Sequence, residues 1–223
     1  MAQPSPGALR TGAVFGALAA LLNLGGVLPL AELPAAYKPG RLPEWLGQIQ
    51  DHPTETAVSA LLFTLGVLAL VPFAAALRRA WPESGLIDAG SRLIATGGLM
   101  NGAATLAPFV VSHQLQPLMD PRTPPVSLAL LGLTLSMDAL FNGLLGVGVA
   151  LIGVAWLRQG RRALGVYGLV TGLATAPVAL QAVSEPFARW LAVAGPLWLS
   201  WLVVASVALL RGAGPGPRPN SQR

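Results

Sequence analysis

Six stretches of this chain, residues 11–31, 56–77, 93–111, 128–157, 163–183 and 187–210, are apolar and almost free of ionisable side chains. Crossing about 30 Å of hydrocarbon at 1.5 Å per residue takes roughly 20 such residues. Inside a bilayer every backbone N–H and C=O needs a partner within the protein, so each run is predicted to be a helix. The expected fold is all-α: a polytopic bundle of six transmembrane helices forming one domain over residues 1–210. The fourth run exceeds the required length and should tilt or project from the bilayer. Gly143, Gly146 and Gly148 are candidate interruptions in it, but no polar loop divides the run, so one continuous helix is predicted. The first run is longer than the apolar core of a secretory signal and is read as a retained helix.

Charge supports the same reading. Only 10% of the 223 residues are charged, against roughly 25% in an ordinary soluble domain. The net charge of +5 rests on 14 Lys and Arg, and these are distributed unevenly over the loops. With the N-terminus inside, one side carries Arg10, Arg78, Arg79, Arg92, Arg158, Arg161, Arg162, Arg211, Arg218 and Arg223, and the other only Lys38, Arg41, Arg122 and Arg189. Ten against four predicts, by the positive-inside rule, that both termini face the cytoplasm. An inner-membrane, multi-pass protein in contact with lipid follows. There is no basic run interleaved with aromatic residues, so direct nucleic-acid binding is not expected.

Two elements lie outside the spans. In the first outer loop, Leu42, Trp45, Leu46 and Ile49 recur at i, i+3, i+4 and i+7, with Pro43 suited to a first helical turn. A short helix lying on the outer membrane surface with Trp45 among the headgroups is predicted, the alternative being a lid over an outward pocket. The Gly-, Pro- and Arg-rich residues 211–223 offer no apolar face and are read as a flexible tail.

Within the spans, Gly12 and Gly16, Gly98 and Gly102, and Gly168 and Gly172 have the small-xxx-small spacing that lets helix backbones approach. Asp138 is the one formally charged residue deep inside a span. A charge there costs at least a few kcal/mol, so it needs partners, protonation or water. Thr134, Asp138, Asn142 and Gly146 follow at i+4 steps and form one polar stripe that should face the bundle interior. Asn101 with Thr105 on the third span and Asn23 on the first are candidate partners. Asp138 is thus read either as a proton or cation relay or as the hydrogen-bonding glue of the bundle. Pro29, Pro108, Pro177 and Pro196 recur toward the outer side and should kink helices around a small vestibule.

Catalytic signatures are absent from the sequence. With no cysteine, thiolate metal sites, iron–sulfur clusters and cysteine nucleophiles are excluded. His52 and His113 are too far apart in sequence to make a local metal motif. No cofactor site and no enzyme activity are expected.

The plan of about 220 residues, no cysteine, six spans and Arg-rich short inner loops resembles that of the membrane-bound anti-sigma factor of myxobacterial light-induced carotenoid regulation. It is also similar to bacterial six-span families of unknown function through pieces such as residues 61–79 and 142–158. The first resemblance implies capture of a cytoplasmic sigma factor of the extracytoplasmic-function class until light releases it. Its contacts would then come from Arg10, Arg78, Arg79, Arg158, Arg161 and Arg162. Beside this sequestering regulator stand two other expectations, a proton-linked small-solute carrier using Asp138 and a structural or assembly subunit.

Overall fold

A computed structural model describes residues 5–110 and 124–212, and every regular element among them is helical. In chain order these are α1 (Pro6–Val27), α2 (Leu42–Asp51), α3 (Pro53–Leu68), α4 (Leu70–Ala80), α5 (Gly85–Val110), α6 (Pro124–Arg158), α7 (Arg162–Thr175) and α8 (Glu185–Gly212). A 3-10 turn, Leu28–Glu32, extends α1, and another, Ala176–Ala182, extends α7. Among the described residues six segments are long and apolar enough to cross a membrane: Pro6–Glu32, Pro53–Ala80, Gly85–Val110, Val126–Arg158, Arg162–Ala182 and Glu185–Arg211. The protein is a multi-pass, all-α helical bundle. His113, Asp120, Arg122, Arg218 and Arg223, and all but the first two residues of the expected tail, lie outside the described residues.

Proline explains where the spans break. Pro72 has no N–H for the Leu68 carbonyl, and the second span divides at Ala69 into α3 and α4. Pro29 and Pro177 likewise end regular α-helix in the first and fifth spans, where the tighter 3-10 turns take over. Pro108 and Pro196 stay inside α5 and α8. The three glycines of the fourth span do not interrupt it, and α6 runs continuously for 35 residues. At 1.5 Å per residue that is about 52 Å, so α6 outruns the hydrocarbon.

The spans form a ring. α1 packs against α3 and α4, these against α5, α5 against α6, α6 against α7, and α7 with its 3-10 extension against α8, which returns to α1. Close backbone approach holds the ring together, and all three predicted glycine pairs contribute. Gly12 faces Ala76, Gly98 would place a Cβ 2.6 Å from the Val67 carbonyl oxygen, and Gly172 would place one 2.5 Å from that of Gly146. The consecutive spans run antiparallel, so Arg10, Arg78, Arg79, Arg158, Arg161, Arg162 and Arg211 collect at one end, here termed the basic end.

The two halves of the ring are filled differently. Toward the basic end Phe73, Trp156, Trp201, Leu145 and Ile152 are buried in one core cluster, with Trp156 edge to face with Trp81 and tilted against Trp201 at centroid distances of 5.7 and 6.2 Å. The far half holds a cavity of about 410 Å³. α2 closes the far end beside it. Trp45, at 1% exposure, and Ile49 are buried against Leu131 of α6 and Ala35, and the Ala35 N–H donates to Gln48 Oε1 at 2.9 Å. The helix forms where its periodicity places it, but the expectation of Trp45 among lipid headgroups is corrected. Its apolar face finds protein to bury against, because α6 projects far enough to meet it.

Candidate functional site

The cavity floor is built around Asp138. Twenty residues, about 30 Å of helix, separate it from Arg158, so it sits in the far half of the bundle. Its Oδ1 accepts from Asn101 Nδ2 of α5 at 3.0 Å. Its Oδ2 accepts from Asn142 Nδ2 at 3.1 Å and from Gln181 Nε2 at 2.5 Å. Among the described residues no Lys, Arg or His forms an ion pair with it. Three amide donors from three spans therefore converge on one carboxylate that has no countercation.

The predicted stripe splits into two jobs. Asn142 and Asp138 meet in the cavity, Asn142 also donating to the Asp138 backbone carbonyl at 2.8 Å. Thr134 turns to α5 instead, donating to the Ala104 or Leu130 carbonyl at 3.1 and 3.0 Å. Gly146 lies against the Ala176 backbone, where no side chain fits. On α5, Asn101 and Thr105 both line the cavity, and Thr105 shares a 2.7 Å hydroxyl contact with Thr64. Asn23 of α1 lines it too, though it bonds the Ala19 carbonyl rather than Asp138.

Two participants were not identified in the sequence. Gln181, fully buried, reaches Asp138 only because the 3-10 turn after Thr175 redirects the chain. Tyr37 belongs to the loop before α2. It has φ 57, a left-handed conformation that a bulky side chain rarely adopts, and such strain collects at functional sites. Its ring packs on Trp45 at 4.9 Å and edge-on to Phe63 at 6.3 Å, and lines the cavity. Burial, with the Asp138 charge adding to it, pushes the Tyr37 phenol up, so Tyr37 remains a neutral hydroxyl. Phe141 and Trp198, edge to face at 6.3 Å, complete an aromatic wall.

Two polar oxygens are left over. Asn101 Oδ1 and Gln181 Oε1 are buried without a hydrogen-bond partner. Each amide spends its N–H on the carboxylate and presents its carbonyl to nothing. Around Asp138, then, the site gathers the carboxyl oxygens and two orphan acceptors, a combination that attracts a donor or a cation. Among the described residues there is no cluster of three His, Cys, Asp or Glu able to hold a metal ion.

At the basic end the arginines do not act alike. Arg78 and Arg92 both pair with Asp88, at 2.5 and 2.9 Å. Arg161 lies 5.1 Å from the Trp81 ring centroid, a cation–π contact. Arg10, Arg79, Arg158 and Arg162 are exposed and form no ion pair with a described residue. The expected basic surface is thus exposed, with Arg78, Arg92 and Arg161 engaged in local contacts on it. Compared with protein-family models, with curated proteins and with solved structures, the chain matches none.

Proposed function

We propose that this protein binds a small solute in its intramembrane cavity, with Asp138 as the charged contact, and carries that solute or a coupled proton across the membrane. One observation supports the reading most directly. A carboxylate accepting from three amides and lacking a countercation among the described residues lines an open cavity of about 410 Å³. A purely structural carboxylate has no need of such space, because glue between helices works best when packed. The volume falls in the range of small-molecule sites, and a largely apolar wall with a few convergent polar groups is their usual composition. Intramembrane acids are most often part of substrate or proton pathways.

The test is a flux screen. Purified protein is reconstituted into liposomes containing a trapped pH dye and challenged with organic cations, organic anions and neutral solutes under an imposed pH gradient. At least one class should produce a protein-dependent signal that Asp138→Asn abolishes. No protein-dependent signal from any class would contradict the proposal.

Capture of a cytoplasmic partner is a second reading, favoured by exposed arginines at the basic end, Arg10, Arg79, Arg158 and Arg162 among them, that have no carboxylate partner among the described residues. If that end faces the cytoplasm of an inner membrane, a sigma factor is the partner the sequence resemblance suggests. Changing Arg79, Arg158 and Arg162 together to Ala should then abolish co-purification of the partner while leaving membrane insertion intact. Unchanged co-purification counts against it.

A further inference from the structure

We infer that the solute is a protonated amine with an apolar body, and that it reaches Asp138 sideways from the lipid through a gap between the far halves of α1 and α8. The inference rests on the small-solute reading and adds the ligand's chemical class and route.

The route follows from exposure. Leu24 and Val27 on α1 and Ala192 and Pro196 on α8 line the cavity and are themselves exposed. A residue can do both only at a mouth. Toward the basic end the same two helices close tightly, with Gly16 of α1 against Ser206 of α8. Toward the far end Gly195 has open space where a Cβ would stand, and Pro196 interrupts the hydrogen bonding of α8. The opening therefore lies at bilayer depth and is apolar at its lips, which favours a ligand already partitioned into lipid.

The class follows from what the floor lacks. The carboxylate calls for a positive charge, and the orphan Asn101 Oδ1, on a residue only 2% exposed, calls for a hydrogen-bond donor. A protonated amine supplies both. A bare metal ion fits poorly, because the amides around Asp138 turn their N–H groups toward the carboxylate rather than a cage of oxygens toward a centre. A quaternary ammonium has charge but no N–H to give. Tyr37, Phe63, Phe141 and Trp198 offer aromatic faces that attract an organic cation. Leu24, Val27, Leu30 and Leu191 offer the hydrocarbon surface that its body would cover.

Four probes of equal chain length separate these features: n-octylamine, octyltrimethylammonium, n-octanol and octanoate. Each is titrated calorimetrically into the protein in lipid nanodiscs, with the heat from protein-free nanodiscs subtracted. Octylamine should bind saturably, at least tenfold tighter than octanol or octanoate and several-fold tighter than octyltrimethylammonium. Asp138→Asn should weaken it tenfold or more. Ala192→Trp, which fills the mouth from an exposed position, should do the same without changing helicity or the thermal midpoint, and it decides the matter if Asp138→Asn fails to fold. Equal binding of any other probe overturns the amine assignment, and unaltered binding in Ala192→Trp overturns the lateral route. Absence of saturable binding by all four overturns the inference, while the flux screen over other solutes judges the function separately.

Discussion

Asp138 is held by Asn101, Asn142 and Gln181, and these three donors replace the water that a carboxylate loses on leaving solution. Gln181→Leu removes one donor from a charged acceptor, so it should destabilise the bundle by about 2 kcal/mol, read as a lower unfolding midpoint in detergent. Tyr37 makes a prediction about pH. Its folded pKa is raised above the ordinary 10.0, so its contribution to stability is present in full below that value and is lost as the pH rises above it. Tyr37→Phe should flatten the alkaline fall of the unfolding midpoint between pH 9 and 11, whereas an unchanged slope would refute the assignment. How much of the site can be read from sequence depends on regularity. Asp138 and Asn142 share a face because i+4 spacing on an uninterrupted helix leaves no alternative. Gln181 and Tyr37 obey no period, since a 3-10 turn and a left-handed loop residue place them. The one sequence signal for Gln181 was a lone amide inside an apolar span.

The elements themselves were mostly evident, because about 20 apolar residues in a row admit one structure in hydrocarbon. Less evident was what each helix packs on. α2 was legible as an amphipathic helix, but its apolar face is equally suited to lipid and to protein, and only the length of α6 decides for protein. Of the outer prolines, Pro29 and Pro177 marked where regular α-helix ends, because a missing N–H is a local fact, whereas Pro108 and Pro196 stay inside their helices. Close packing of α6 on the fifth span depends on Gly146, whose missing side chain admits the Ala176 backbone. Gly146→Leu should force these helices apart, lower stability by about 1–3 kcal/mol and draw Gln181 off Asp138. The thermal midpoint and octylamine affinity should therefore fall together; a variant as stable as wild type would show that the contact is not tight.

For the molecule as a whole, the ring order brings its basic residues to one end and leaves the cavity in the other half. The sequence alone suggested a vestibule from its outer prolines, but a hollow is defined by several spans at once and by side chains that fail to meet, which no single segment encodes. Orientation is testable cleanly because the chain has no cysteine. A thiol placed at Gly47, where a side chain meets open space, should react with a membrane-impermeant maleimide on intact cells, while one at Arg162 should react only after lysis. The reverse pattern would invert the topology that the positive-inside rule predicts.

Binding and flux both require a wetted cavity inside the far half of the bundle, with the Asp138 carboxylate on its floor. It is tested most directly by the reactivity of single thiols toward aminoethyl methanethiosulfonate, a water-borne cationic reagent that modifies thiolates. Leu199 lines the cavity, Leu140 faces outward from α6 and Leu145 lies in the packed core. Leu199→Cys should be modified rapidly, slowed by octylamine and slower still with an anionic reagent, and Leu140→Cys and Leu145→Cys should not react. A Leu199→Cys thiol as inert as the other two would contradict it.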